Sequence, residues 1–197
     1  GILAAGTNGI IVNAAAADRV ILRNISINGA GTGINGIRFL AGGQLTVENV
    51  TISGFTTRGI DVSLTTTASL FVTNTSITRC ATGIRIATTG GFPNATLDNV
   101  RLRGMTTGLD VATGSVFASV VRSNISANTT GVNASGTAAV VNVATSMLSF
   151  NGTALNASVS GAIIGISGIG SPGMTTASIV SSSPPTSVQA SPVTWPI

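Results

Sequence analysis

The chain has 197 residues and a net charge of +4, from nine arginines against five acidic residues, and it contains no lysine or histidine. The arginines are scattered, and only six Phe and one Trp could stack on bases, so nucleic-acid binding is not expected. No apolar stretch approaches the roughly 18 residues that a membrane-spanning helix needs, so no membrane span is expected. A single cysteine, Cys80, is interpreted as a small half-buried residue.

A short phrase centred on asparagine recurs four times at a fixed interval. Its first copy reads Leu22-Arg-Asn-Ile-Ser-Ile27, and the asparagines of the four copies lie 25 residues apart, at Asn24, Asn49, Asn74 and Asn99. A constant period of this size is typical of a solenoid, in which successive coils of chain stack on one another. Because asparagine tolerates the left-handed backbone conformation, we expect each copy to form a tight corner. Coils stacked about 4.8 Å apart would let the four amides hydrogen-bond as a structural ladder.

A second marker, a Gly or Ala followed by an aliphatic residue, has the same period. This Gly-aliphatic marker runs from Gly36 to Ala154 in steps of 23, 24, 25, 23 and 23 residues. Counting back from it, the corners of the last two full coils carry Arg122 and Thr145, so we expect a different corner there. Asn124, which keeps the interval of 25, is the rival candidate for the first of these corners.

Between the markers, apolar and polar residues alternate, as in Leu45-Thr-Val47, which is typical of short half-buried strands. We interpret each coil as three strands: the first follows the Gly-aliphatic marker, the second ends before the Asn corner, and the third follows that corner. The predicted fold class is an all-β solenoid of six to seven coils of about 23–25 residues, with coils in residues 1–160. Residues 161–197 are interpreted as a last irregular coil and a Ser/Pro-rich C-terminal cap or tail. The residues expected to point inward are Val47, Ile52, Ile60, Ile77, Ile84, Leu102 and Leu109.

This arrangement resembles the right-handed parallel β-helix of the pectin-lyase-like superfamily, which has three parallel sheets and a tight Asn-bearing second corner. The resemblance covers roughly residues 9 to 160 and rests on the Asn phrase and the Gly-aliphatic marker. The superfamily includes pectate lyases, polygalacturonases, phage tailspikes and adhesin-like surface proteins. The resemblance therefore implies a fold, and it leaves the reaction open.

The outward position directly after the Gly-aliphatic marker carries alternating charges. Down the stack these residues are Arg38, Asp61, Arg85 and Asp110, followed by Asn133 and Asn156. In coils that are in register these side chains would be neighbours, which predicts a surface ion-pair ladder. In the resembled superfamily the first-strand sheet carries the carbohydrate cleft, so the four charged residues are also a possible glycan-binding face.

Catalysis is not expected from these residues. Asp61 and Asp110 would lie two strand spacings apart, about 9.6 Å, which is too far to share one calcium ion. The His- and Lys-bearing motifs of the resembled hydrolases cannot exist in this chain, and none of its five acids has an obvious carboxyl partner. No catalytic residue, metal ligand or cofactor is predicted.

A column of threonines precedes the Gly-aliphatic marker, at Thr82, Thr107, Thr130 and Thr153. Regular hydroxyl groups can order water, as in ice-binding β-helices, although threonine is also simply a good exposed strand residue. The predicted function is a non-catalytic structural or adhesive β-helix, extracellular or on the cell surface. The alternative is a polysaccharide lyase-like enzyme or glycan-binding module that uses the Arg/Asp face, and ice binding is a minor alternative.

The predicted partner is a second copy of the chain, with a polysaccharide as a further candidate. The first strand phrase begins at Gly9. The segment 1–5 that precedes it is too short and too apolar to form a polar cap. Open strand edges are templates for further pairing. The C-terminal tail, which includes Trp195 and several prolines, is suited to closing the other end. A closed C-terminal end would limit association to an N-end to N-end dimer, whereas an open one would permit a filament.

Overall fold

The computed structural model describes residues 1–167 and 179–180. These residues form nineteen strands and no helix. The strands are β1 Ile2–Leu3, β2 Ile10–Asn13, β3 Arg19–Arg23, β4 Ser26–Ala41, β5 Gln44–Glu48, β6 Thr51–Leu64, β7 Ser69–Thr73, β8 Ser76–Thr88, β9 Asn94–Asp98, β10 Arg101–Arg103, β11 Thr107–Thr113, β12 Ser115–Val121, β13 Asn124–Ser126, β14 Thr130–Ala134, β15 Ala138–Ala144, β16 Met147–Ser149, β17 Thr153–Ala157, β18 Ile163–Ser167 and β19 Ile179–Val180. In this part of the chain there is accordingly no helix long and apolar enough to cross a membrane.

The strands stack as parallel neighbours in two sheets. A seven-stranded sheet contains the second strand of each coil, in the order β18-β15-β12-β9-β7-β5-β3, so the chain makes about seven coils. The predicted all-β solenoid is thereby confirmed. The first and third strands belong to one twelve-stranded sheet, because β4, β6 and β8 continue from the third strand of one coil into the first strand of the next. Backbone pairing therefore gives two sheets where the resemblance implied three.

The register places equivalent residues of successive coils directly over one another. Ile60 pairs with Ile84, and Ile84 pairs with Leu109, on the first strands. On the second strands Val47 pairs with Val72. All seven residues predicted to point inward are fully buried: Val47, Ile52, Ile60, Ile77, Ile84, Leu102 and Leu109. Each such aliphatic side chain contributes about 1.5–3 kcal/mol through burial, so this continuous stack is the main source of stability.

The glycines of the Gly-aliphatic marker are required by space. A Cβ on Gly59 would lie 2.7 Å from the carbonyl oxygen of Gly83 and 2.3 Å from Cγ2 of Ile77. A Cβ on Gly83 would lie 2.5 Å from the carbonyl oxygen of Gly108. Each marker glycine thus packs against the next one, and a side chain there would push neighbouring coils apart.

One left-handed residue forms the corner between the second and third strands. The φ angles are 57° at Asn24, 53° at Asn49, 50° at Asn74, 52° at Asn99, 48° at Arg122 and 47° at Thr145. Arg122 and Thr145 occupy this corner, as the count back from the marker predicts. The expectation of a different corner there is wrong, because both residues take the same left-handed conformation as the asparagines. The rival, Asn124, is wrong, because Asn124 already begins β13 and pairs with Arg101.

Both ends of the stack continue beyond the predicted strands. Residues 1–5 were expected only to leave the end uncovered, but Ile2 pairs with Ile27 and extends the third-strand stack. At the other end β18 pairs with β15, and β19 pairs with β17. The Ser/Pro-rich segment 181–197, with the expected cap and Trp195, lies outside the described residues.

Candidate binding site on the first-strand face

Asp61 lies at the centre of a cluster of three arginines. On the first strands its Cα partners are Arg38 and Arg85. The distances to its carboxylate are 3.5 Å from Nε of Arg38, 3.4 Å from Nη1 of Arg85 and 3.4 Å from Nη1 of Arg58. Ser63 donates a further hydrogen bond to Oδ2 at 3.3 Å. We call Arg38, Arg58 and Arg85 the arginine cluster.

The carboxylate is buried, although the alternating charges predict an exposed ladder. The side chain of Asp61 is 2% exposed, whereas those of Arg38, Arg58 and Arg85 are 41%, 33% and 24% exposed. Asp61 is buried because the long side chains of the three arginines cover its short side chain. The site carries two positive charges in excess, and each guanidinium keeps N–H donors for other partners. Such a group is suited to bind a carboxylate or another oxyanion.

Further along the same column, the charged residues are followed by asparagines. Asp110 accepts hydrogen bonds from Nδ2 of Asn133 and Oγ of Ser135, both at 2.9 Å. Asn156 Nδ2 then donates to Asn133 Oδ1 at 2.8 Å. Arg85 is a Cα partner of Asp110, but its guanidinium contacts the carboxylate on the other side. The predicted four-residue face is therefore divided, and Asp110 belongs to the amide part.

A shallow pocket of about 270 Å³ lies beside the arginine cluster. Arg85 lines it, together with Ser63, Thr65, Thr89 and Thr113, where the first strands end. A cation surrounded by hydroxyl groups can bind a polyhydroxylated, negatively charged ligand. No described side chain in this pocket has the chemistry of a general base near neutral pH.

Two of the remaining acids, which lie on other faces, are also in ion pairs, and Asp18 accepts a hydrogen bond from the backbone N–H of Ala15 at 2.9 Å. Arg23 Nε lies 2.7 Å from Oε2 of Glu48, and Arg122 forms an ion pair with Asp98. Cys80 is buried, its Sγ donates to the carbonyl oxygen of Thr78 at 3.5 Å, and burial raises the pKa of its thiol. Among the described residues, no group of three or more His, Cys, Asp or Glu could hold a metal ion.

The corner asparagines of the predicted ladder hydrogen-bond to one another in two pairs. Asn49 Nδ2 donates to Asn24 Oδ1, and Asn99 Nδ2 donates to Asn74 Oδ1, each at 2.7 Å. These amides are partly solvent-exposed, and the arrangement is structural. A shallow pocket of about 310 Å³ lies at this corner, lined by Asn49, Asn74, Thr75, Ser76, Asn99 and Arg101.

In the coils whose corner residue is not asparagine, a buried serine directly after the corner hydrogen-bonds to the backbone. The sequence analysis did not predict this feature. Ser123 follows the corner residue Arg122; its Oγ accepts from Val100 N at 3.0 Å and donates to Val121 O at 2.8 Å. Ser146 accepts from Ser123 N at 3.0 Å in the same way. The signal in the sequence was the interval of 23 between these serines.

A second pair of asparagines, also missed, stabilises the corner after the third strand. Asn128 is buried; its Oδ1 accepts from Met105 N at 3.0 Å, and its Nδ2 donates to Leu102 O at 3.1 Å. Asn151 Oδ1 accepts from both nitrogens of Asn128 at 3.0 Å. These amides satisfy backbone groups inside the corner, so their role is structural.

The threonine column is in register. Thr107 pairs with Thr82 and Thr130, and Thr130 pairs with Thr153. The column is half-buried; Thr82 lies within β8, and Thr107, Thr130 and Thr153 are the first residues of β11, β14 and β17. Its next position towards the N-terminus is Arg58, which pairs with Thr82, so the hydroxyl array borders the arginine cluster.

Comparison with known proteins adds no family to this description. No protein-family model matches the chain, and no match is found among curated proteins or solved structures. The parallel β-solenoid is thus shown by the structure alone.

Proposed function

We propose that this chain is a non-catalytic structural or adhesive β-solenoid, extracellular or on the cell surface, that associates with itself end to end. The observation that carries this proposal is the exposure of the core at the first coil. Ile10, Val20, Leu22 and Ile25 are only partly buried, whereas the residues in the same columns of the next coil are fully buried. The end of the stack therefore presents an apolar surface.

Unpaired backbone groups surround that apolar surface. Among the described strands, β2 pairs only with β4, and β3 pairs only with β5. An open strand edge is a template for pairing with another chain, and burial of the apolar side chains favours the same contact.

The chemistry of the site supports a non-catalytic role. Asp61 lies beneath the arginine cluster, and Glu48 and Asp98 are each paired with an arginine. A chain without lysine or histidine has few other general bases near neutral pH. We also propose kinship with the pectin-lyase-like superfamily, which the three-strand coil and its one-residue Asn corner support.

The test is the molar mass in solution of three proteins. The wild-type chain should exceed its monomer mass of 19.4 kDa at micromolar concentration. Leu22→Lys places a charge in the end surface and should give a monomer. Ile21→Lys is the matched control, because Ile21 lies on the outward face of the same strand; it should associate like wild type. Circular dichroism establishes that each variant is folded. A strictly monomeric wild type at high micromolar concentration would contradict the proposal.

The second candidate function is binding of an anionic polysaccharide, which the arginine cluster favours. Its two excess positive charges and the adjoining hydroxyl-lined pocket match a chain of sugar acids. Polygalacturonate, with and without calcium, is the probe. Arg85→Gln should weaken binding about tenfold, the equivalent of about 1.4 kcal/mol, whereas Arg103→Gln removes an equal charge from an exposed third strand and should have little effect. Equal losses in the two variants would indicate non-specific attraction, and cleavage of the polymer would refute the non-catalytic role.

A further inference from the structure

A pocket of about 370 Å³ lies at the corner that follows the third strands. Its volume is within the range of about 300–1,000 Å³ that is usual for small-molecule sites. No member of the arginine cluster lines it, so it is separate from the first-strand face. We call it the third-corner pocket, and the residues that line it are Asn28, Ala30, Gly31, Gly54, Phe55 and Arg79.

One coil has an insertion at this corner. Asn28 and Gly33 are the Cα partners of Ser53 and Phe55 in the next coil. Four residues lie between the first two, whereas Gly54 alone lies between the second two. The chain therefore bulges in the first of these coils, and the bulge forms one wall of the third-corner pocket.

Hydrogen bonds hold the bulge in place. Asn28 Oδ1 accepts from the backbone N–H of Ala30 at 2.9 Å, and Oγ1 of Thr32 accepts from a backbone N–H of the N-terminal segment at 3.2 Å. A Cβ on Gly54 would lie 3.3 Å from Asn28 Oδ1 and 3.3 Å from the backbone nitrogen of Gly31. Polar atoms of the bulge thus border the space that this glycine leaves open. Because the wall is already ordered, a ligand can bind there with little loss of conformational entropy.

Of the residues that line this pocket, only Arg79 is charged. Arg79 follows Thr78, which is the Cα partner of Ser53, so it occupies the same step of its coil as Gly54. Its side chain is exposed and takes part in none of the ion pairs among the described residues. The guanidinium therefore keeps its N–H donors for a ligand that carries an oxyanion.

The backbone of Arg79 is left-handed, which is unusual for a residue with so large a side chain. Its φ is 54°, and the same step of the two neighbouring coils carries Gly54 and Gly104, with φ of 75° and 73°. A non-glycine residue is less stable in this conformation, and such strain is concentrated at functional sites. A Cβ on Gly104 would meet nothing within 4 Å, so the guanidinium has open space beside it.

We propose that the third-corner pocket binds the carboxylate of a small hydroxylated acid, of the size of a single sugar acid. One cation among neutral polar groups matches a single negative charge. The Arg79 guanidinium holds the carboxylate by charge-assisted hydrogen bonds, and Nδ2 of Asn28 and the backbone of the bulge hydrogen-bond to hydroxyl groups. The ring of Phe55 supplies an apolar contact. The site is independent of the proposed end-to-end association and of the arginine cluster, because it uses none of the same side chains.

Ligand-observed saturation-transfer NMR tests the site, since it detects weak binding to a monomer and to an assembly alike. The probe is sodium D-glucuronate. D-Glucose lacks its charge, and acetate lacks its hydroxylated body. Glucuronate should bind the full-length protein at least about tenfold more tightly than either of these compounds. Equal affinity for glucuronate and acetate, or for glucuronate and glucose, would overturn the proposal.

Two variants assign the binding to this pocket. Arg79→Gln removes the cation and should weaken glucuronate binding about tenfold. Asn28→Asp keeps the acceptor for the backbone N–H of Ala30 but places a negative charge beside the ligand, so it should abolish binding. The matched controls are Arg103→Gln and Asn124→Asp, which make the same changes at exposed third-strand residues outside the pocket and should bind like wild type. Circular dichroism establishes that each variant is folded. Unchanged binding by folded Arg79→Gln, or equal losses in variants and controls, would overturn the proposal.

Discussion

Replacing Asp61 by asparagine should destabilise the middle coils, because it removes the one negative charge that three arginines share. Arg38, Arg58 and Arg85 each come within 3.4–3.5 Å of this carboxylate. The amide of asparagine is close to a carboxylate in size, and its oxygen can still accept a hydrogen bond. The substitution therefore changes charge while it leaves the packing nearly constant.

The size of the expected loss of stability follows from the burial of Asp61. Removing one partner of a buried ion pair costs about 3–5 kcal/mol, because the other charge is left uncompensated. Asp61 is buried, but the guanidinium groups are 24–41% exposed, and water screens their mutual repulsion. We therefore expect a loss of about 2–3 kcal/mol in the free energy of unfolding. Part of this loss should disappear at about 1 M salt, where the Debye length falls to about 3 Å.

Urea denaturation at low and high sodium chloride concentration measures both effects. Asp110→Asn is the matched control, since its partners Asn133 and Ser135 are neutral donors that an amide oxygen can still satisfy. The control should lose less than about 1 kcal/mol and show little salt dependence. Equal losses in the two variants, or a loss at Asp61 that does not change with salt, would refute the assigned role of the cluster.

Three further substitutions and one reactivity measurement follow from the packing. Ile84→Ala should cost about 2–5 kcal/mol, because its fully buried side chain leaves a cavity. Gly59→Ala should cost about 1–3 kcal/mol by overpacking, since its Cβ would lie 2.7 Å from a carbonyl oxygen. Ser123→Ala should cost about 1–3 kcal/mol, because a buried backbone N–H loses its acceptor. Urea denaturation measures all three, and a loss below about 0.5 kcal/mol at any of them would mean that the side chain is not packed as described. Because burial raises the pKa of Cys80, its thiol should react with a disulfide reagent much more slowly in the folded protein than in urea. Its contribution to stability should be complete below the usual thiol pKa and decline as the pH rises above it; equal reaction rates in the folded and unfolded states would contradict the burial.

The repeated positions of the fold could be predicted because each coil must return to the same place in the stack. Asn24 and Gly59 are examples: one sets a left-handed corner, and the other permits close approach between coils. The inward side of strands could be predicted as well, since Ile60 and Ile84 alternate with polar neighbours.

The candidate site could be predicted only in part. The column position of Asp61 follows from the Gly-aliphatic marker. Arg58 lies three residues earlier in β6, where that strand passes from the third strand of one coil to the first strand of the next. There the register shifts between Phe55 and Arg58, and the alternation of strand residues gives no guidance. The burial of the Ser123 and Asn128 side chains could not be predicted for a related reason. A polar side chain is expected to be exposed unless its hydrogen-bond partners are known, and these partners lie in a neighbouring coil.

The register that pairs the second strands of successive coils is tested most directly by disulfide cross-linking. In a Cys80→Ala background, cysteines replace Thr46 and Phe71, which are Cα partners on neighbouring second strands. Their spacing of about 4.8 Å lies within the range that a disulfide can bridge. Thr46 and Thr73 face the same side but are offset by two residues, about 8 Å apart, which is too far. The structure predicts a nearly complete intramolecular disulfide for the first pair and almost none for the second; preferential cross-linking of the second pair would contradict it.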